Sequence, residues 1–242
     1  MTPPPLVLLH GLGTGPSGWQ PQIDAFSPKR TVLTPALRLD SDFDFGAEAR
    51  RVLEDVDGEK LDLCGLSLGA LIALRAAVDA PDRVCRLAVS AGFASLPRSL
   101  ALLQLALGNA TRLMPARVLH DQLCAGIPEP HRETAKLETT QLDGPAIRHL
   151  FREGRRFDIR AELERLTMPV LVLVGADDWA NQRLSRKLAD QVPSAELAVI
   201  PGAGHVANLD APEAFSEALR RFLDAAWPAK AREASSPAAA RR

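Results

Sequence analysis

The chain has 242 residues, 46% of them hydrophobic, and a formal net charge of −1. That is enough apolar material for one full core with an inserted subdomain, and the charge balance gives no electrostatic basis for nucleic acid or an anionic membrane as a partner. No apolar run approaches the roughly 20 residues of a membrane span, and the start MTPPPLVLLHG lacks the basic region of a secretory leader. Cys64, Cys85 and Cys124 are odd in number and flanked mostly by apolar residues. They read as small core residues of a cytoplasmic protein rather than as a disulfide or metal framework.

In chain order, the apolar run Pro5 to Leu9 predicts a strand buried on both faces, ending at His10-Gly11-Leu12-Gly13. A glycine-rich loop then leads to a helix over 18–26, a strand near 31–34 and a helix near 46–56. A strand running into Cys64, a helix over 68–78 closed by Pro81, and a strand over 84–90 follow. This alternation predicts an α/β fold, a mostly parallel sheet with helices on both faces. From 94 to 166 no strand pattern is present. Amphipathic stretches punctuated by Pro97, Pro115, Pro128, Pro130 and Pro145 predict an inserted helical cap there. The alternation resumes with strands over 168–175 and 195–200 and helices around 182–191 and 212–226. The core is thus assigned to 1–93 and 167–227. The tail 228–242, PAKAREASSPAAARR, has no apolar face and is expected to be disordered.

The chemistry centres on Gly65-Leu66-Ser67-Leu68-Gly69, placed between an apolar strand and a helix as a nucleophile elbow requires. A serine hydroxyl is a poor nucleophile near neutral pH, so it needs a base and an acid to orient that base. Asp177 and Asp178 follow the strand ending at Gly175, and His205 follows the strand ending near Ile200. Both groups therefore lie at the carboxyl ends of strands, where open α/β sheets build their sites. The order Ser, Asp, His is the one expected with such an elbow. The developing oxyanion needs fixed donors, for which the backbone N–H groups of Leu68, after the nucleophile, and Leu12, between two glycines, are the candidates.

Over about residues 5–226 the chain resembles α/β-hydrolase-fold serine enzymes with a helical cap, of the carboxylesterase, lactonase and thioesterase kind. The resemblance is carried by LVLLHG, GLSLG, RFDIRAELERLTMPVLVLVGADD and VIPGAGHVANLDAPEAF. It implies Ser67 as nucleophile, His205 as base, Asp178 as acid with Asp177 the lesser candidate, and Leu12 as an oxyanion donor. It further implies a small-molecule ester, thioester or lactone substrate, with no metal and no organic cofactor. The chain departs from many relatives after its second strand, where TPALRLDSDFDFG leads straight to a helix. It departs again in the acid loop DDWAN, which lacks a proline.

Other signals have competing readings. Gly13-Thr14-Gly15-Pro16-Ser17-Gly18 formally matches Gly-x-Gly-x-x-Gly, with Asp40 where a ribose-binding acid could fall, but Pro16 removes an N–H that a pyrophosphate would use. Arg148, Arg152, Arg155 and Arg156 read as a solvated helix face, or as a site for an acidic or carrier-linked substrate handle. Leu100, Leu102, Leu103, Leu105 and Leu107 are dense enough that some should pack on the core or line an acyl pocket. His10 reads as a structural support of the oxyanion loop, and His120, His131 and His149 are expected on the surface of the cap. Two alternatives keep the same serine site: a ligand sensor with little turnover, and a carbon–carbon bond hydrolase or lyase.

Overall fold

The computed structural model describes residues 3–110, 114–140 and 142–225; the tail from Pro228 lies outside them. Six strands form one all-parallel sheet in the order β2-β1-β3-β4-β5-β6. They are β1 (Leu6–Leu9), β2 (Val32–Leu33), β3 (Leu61–Leu66), β4 (Val84–Ser90), β5 (Val170–Gly175) and β6 (Ala195–Ile200). Side chains of a strand alternate between faces, and the two cores divide accordingly. Val7, Leu9, Leu61, Leu63, Val170 and Val172 pack in one cluster with α2 (Phe45–Glu54), α3 (Leu68–Asp79) and α8 (Trp179–Gln191). Leu6, Leu8, Cys64, Leu66, Leu171 and Leu173 pack in the other with α1 (Gln20–Phe26), α9 (Ala207–Asp210) and α10 (Pro212–Asp224). The sheet is covered on both faces, as the continuous apolar strands require.

The chain lays β2 on one side of β1 and β3 on the other. Where a strand order reverses in this way, the connections leave in opposite directions and open a crevice beyond the carboxyl ends of the two strands. Leu9 pairs with Gly65, so the ends of β1 and β3 lie level. The loop from His10 and the turn at Ser67 are the two walls of that crevice.

Between β4 and β5 stand four helices, α4 (Arg98–Ala110), α5 (Ala116–Cys124), α6 (Glu129–Glu138) and α7 (Gly144–Arg156). Entry and exit are pinned together by a bridge between Ser95 and Asp158 and by Ile159 N–H donating to Ala94 O at 2.9 Å. The stretch 160–166, at the end of the segment assigned to the insertion, forms a short 3-10 turn (Arg160–Arg165) packed against α3. Leu163 and Leu166 join the main cluster, and Glu162 pairs with Arg75 of α3 at 2.8 Å. Leu100 and Leu102 of α4 are exposed, while the side chains of Leu103, Leu105 and Leu107 lie outside the described residues. Among the described residues no helix is long and apolar enough to cross a membrane.

Candidate active site

Ser67 sits between the last residue of β3 and the first of α3 with φ 53° and ψ −114°. Left-handed φ is costly for a residue with a Cβ and persists only where the surroundings enforce it. Here the enforcement is mutual: a Cβ on Gly65 would strike the backbone of Gly69, and one on Gly69 would strike the carbonyl oxygen of Leu9. The glycines let helix, strand and neighbouring strand close on one another. Ser67 N–H donates to Ser90 O at 2.8 Å, fixing the turn against β4.

The structure brings three of the sequence candidates together. His205 Nε2 lies 3.0 Å from Ser67 Oγ, and its Nδ1 lies 2.9 Å from Asp178 Oδ2. Asp178 is buried at 7% exposure, whereas the His205 side chain is half exposed. Burial by itself would raise the Asp178 carboxyl, but hydrogen bonds from His205 and from Asn181 outweigh it and hold the group below the ordinary carboxylate value. Asp178 therefore stays an acceptor, which fixes the proton of His205 on Nδ1 and leaves Nε2 free to accept from Ser67. Asp177 is exposed, and its N–H donates to Ala203 O at 2.8 Å, tying the acid loop to the histidine loop.

Asn181 is the residue that sequence reasoning passed over. Its Nδ2 donates to Asp178 Oδ1 and Oδ2, each at 3.0 Å, and approaches His205 Nδ1 at 3.2 Å. Since Nδ1 carries the proton for Asp178, the last contact is a close approach and not a hydrogen bond. Turning the amide over would put its oxygen against both carboxylate oxygens, so the orientation is settled by charge. The available signal was the DDWAN loop itself, with a carboxamide three residues after the acid in the first turn of α8. Replacing Asn181 with Leu should lower kcat about tenfold with KM near the wild-type value, because part of a charge-assisted hydrogen bond of about 1.5–3 kcal/mol is lost from the group that steadies the imidazolium. Steady-state kinetics on a chromogenic ester measures this; an unchanged kcat would remove Asn181 from the machinery.

Opposite the elbow, Leu12 follows Gly11, whose Cα stands so near Ser67 that an added Cβ would lie 3.4 Å from the serine Cβ. Among the described residues neither the Leu12 nor the Leu68 amide has a hydrogen-bond acceptor. His10 is buried; Leu37 N–H donates to its Nε2 at 3.3 Å, and its Nδ1–H donates to Gly11 O at 3.0 Å. Burial pushes its pKa below the ordinary histidine value, so it is a neutral strut beneath the loop. The glycine-rich loop holds no space for a pyrophosphate, because the Glu138 carboxylate lies against Gly15 and binds Ser17.

The surroundings differ from expectation in one respect. His120 and His149 are half-buried, each meeting a carbonyl oxygen through Nε2, that of Leu142 at 3.0 Å and that of Phe43 at 2.7 Å; His131 is half-buried as well. His120 and His149 thus brace the insertion instead of decorating its surface. Of the four arginines of α7, Arg152 and Arg156 are exposed and both paired to Glu153, as on a solvated helix face, whereas Arg148 and Arg155 are half-buried, and Arg155 Nε is enclosed without a hydrogen-bond partner among the described residues. Among the described residues no three His, Cys, Asp or Glu side chains converge as metal ligands.

Known proteins similar to this chain are named as hydrolases and lactonases. The (E)-2-((N-methylformamido)methylene)succinate hydrolase of Acinetobacter baylyi is 28% identical over 91% of this chain and 90% of its own length. The 3-oxoadipate enol-lactonase 2 of the same organism is 26% identical over 91% and 88%. Among solved structures, a hydrolase from Pseudomonas aeruginosa superimposes with a TM-score of 0.81 at 25% identity, covering 92% of this chain and 91% of that one. The alpha/beta hydrolase family matches residues 6–218, which span all six strands and Ser67, Asp178 and His205. The chain belongs to the alpha/beta hydrolase family.

Proposed function

We propose that the chain is a serine hydrolase that cleaves a small-molecule carboxylic ester, thioester or lactone through an acyl-enzyme. The observation that carries this reading is the unbroken relay from Ser67 Oγ to His205 Nε2 (3.0 Å) and from His205 Nδ1 to Asp178 (2.9 Å) on a strained elbow. His205 removes the Ser67 proton as the oxygen attacks the carbonyl carbon, and Asp178 stabilises the imidazolium. The unpartnered amides of Leu12 and Leu68 receive the oxyanion, and each such donor is worth about 3–4 kcal/mol in the transition state. His205 then protonates the leaving group. Water, deprotonated by the same imidazole, releases the acid.

Half-buried Leu12, Phe93 and Leu123 stand close in the chain or in space to the elbow and the oxyanion loop, which favours an apolar acyl portion. Exposed Arg152 and Arg156, each paired to Glu153, give no support to an acidic handle bound at those two positions.

The test is to label the purified chain with a fluorophosphonate, map the modified peptide by mass spectrometry, and follow p-nitrophenyl esters of increasing acyl length. Modification of Ser67 together with steady turnover, falling beyond some chain length, is the expected result. Labelling without turnover of any ester would move the reading to a sensor or to carbon–carbon chemistry. Modification elsewhere would refute Ser67 as nucleophile.

A further inference from the structure

The loop that presents Leu12 is closed on itself at its start and tied to the core at its end. Gly11 exchanges two hydrogen bonds with Thr14 Oγ1, donating its N–H and accepting at its carbonyl, both at 3.1 Å, and Gly18 O accepts from Asn208 Nδ2 at 2.7 Å. The middle of the loop is held differently. Residues 13–17 are gripped by α5 and α6 of the helical insertion, more than 100 residues away in the chain.

Glu138, the last residue of α6, accepts from Ser17 N–H at Oε1 (3.2 Å) and from Ser17 Oγ–H at Oε2 (2.5 Å). Its carboxylate presses on Gly15 so closely that a Cβ there would collide with it. At the other side of the loop, the Cys124 thiol points to Gly13 O at 3.5 Å, and Gly13, with φ 87°, faces the carbonyl of Leu123 at the end of α5. The glycines that imitate a nucleotide fingerprint are thus explained by two helix ends that come down onto them. Leu12 lies at the junction of the two supports, between Gly11 on the sheet side and Gly13 on the insertion side.

We infer that Glu138 is a positioning residue for the oxyanion hole: its grip on Ser17 sets the course of residues 13–17 and so the direction in which the Leu12 amide points. This rests on the serine hydrolase reading above. The pair is exposed, and an exposed hydrogen bond adds little to global stability. Its effect on catalysis is disproportionate, since an oxyanion donor acts only within about 2.7–3.1 Å of the developing charge and a displacement of about 1 Å can cost about 100-fold in rate. The inserted helices then act on the site through this contact. They complete the electrostatic part of the site.

The experiment compares Glu138→Ala, Glu138→Gln and Ser17→Ala in the full chain by three readouts. These are steady-state hydrolysis of p-nitrophenyl butyrate, inhibition by n-butylboronic acid, and hydrogen exchange of the peptide spanning residues 10–19. Glu138→Ala should lower kcat about 10- to 100-fold with KM within about twofold. It should weaken the boronic acid by a similar factor, because the tetrahedral adduct places an oxygen in the same hole, and exchange over 10–19 should quicken. Glu138→Gln keeps an acceptor for the Ser17 N–H and should recover most of kcat. Ser17→Ala keeps the N–H and should lose less than Glu138→Ala. Unchanged kcat and exchange in Glu138→Ala would overturn the inference, as would a fall in kcat without weaker boronate binding, or a loss confined to KM. If Glu138→Ala does not fold, Ser17→Ala decides, and wild-type kcat and exchange in that variant would overturn it. Absence of Ser67-dependent turnover in the wild type would instead refute the hydrolase reading, and the exchange measurement would still report whether Glu138 holds the loop.

Discussion

Converting Ser67 to alanine should lower kcat for p-nitrophenyl ester hydrolysis by about a millionfold, and His205→Ala should cost nearly as much. The double variant should be no worse than either single one, because serine without a base and base without a serine fail at the same step. Asp178→Asn should cost about 10⁴-fold, since an amide at that position no longer fixes the imidazole proton on Nδ1. Asparagine still serves as the cap of α8, a role in which Asp178 accepts from Asn181 N–H at 3.3 Å, so stability should change little. Asp177→Asn should stay within about threefold of wild type because its side chain is exposed and only its backbone is engaged. These rates, read beside thermal melts of each variant, test the division of labour between adjacent aspartates. A larger loss at Asp177 than at Asp178 would reverse the assignment.

That division was not settled by the residues alone, and the reason is geometric. Both aspartates follow Gly175, and pattern reading places the pair at the sheet edge without saying which side chain turns inward. The inner strands were legible because their runs are mostly apolar, as in Val84–Ser90, which the structure reproduces residue for residue, while the edge strand β6 is half-exposed. Ser67 and His205 were legible because elbow and loop glycines mark tight turns at strand ends. Asn181 was missed because its polar side chain three residues after Asp178 reads as an ordinary first-turn helix residue. The Glu138 to Ser17 contact spans 121 residues and carries no local signal at all. The histidines of the insertion were expected on its surface because nothing in the sequence shows that the carbonyl oxygens of Phe43 and Leu142 are waiting there. Local stereochemistry writes itself into a single chain; contacts between distant segments do not.

Replacing Gly175 with alanine should lower stability by about 3 kcal/mol, a fall in Tm of about 6–12 °C, and should also impair the folded enzyme. Gly175 ends β5 with ordinary backbone angles, so its requirement is spatial. A Cβ there would land on the carbonyl oxygens of Ala203 and Gly204, both rigid backbone atoms of the loop that carries His205. That loop is already tied down by Asp177 N–H on Ala203 O and by Gly204 N–H donating to Asp210 Oδ2 at 2.9 Å, so it cannot yield at one point without shifting as a unit. A shift of about 1 Å would draw His205 out of line with Ser67 and cost about 100-fold in kcat among molecules that remain folded. Gly202→Ala is the control within the same loop. Its φ of 66° makes alanine strained by about 1–2 kcal/mol, but the space around it is open, so Tm should fall modestly and kcat should hold. Thermal denaturation and steady-state kinetics on both variants separate the two causes. A Gly175→Ala enzyme with wild-type Tm and kcat would mean that the histidine loop does not rest on the end of β5, and the seat proposed for the general base would have to be found elsewhere.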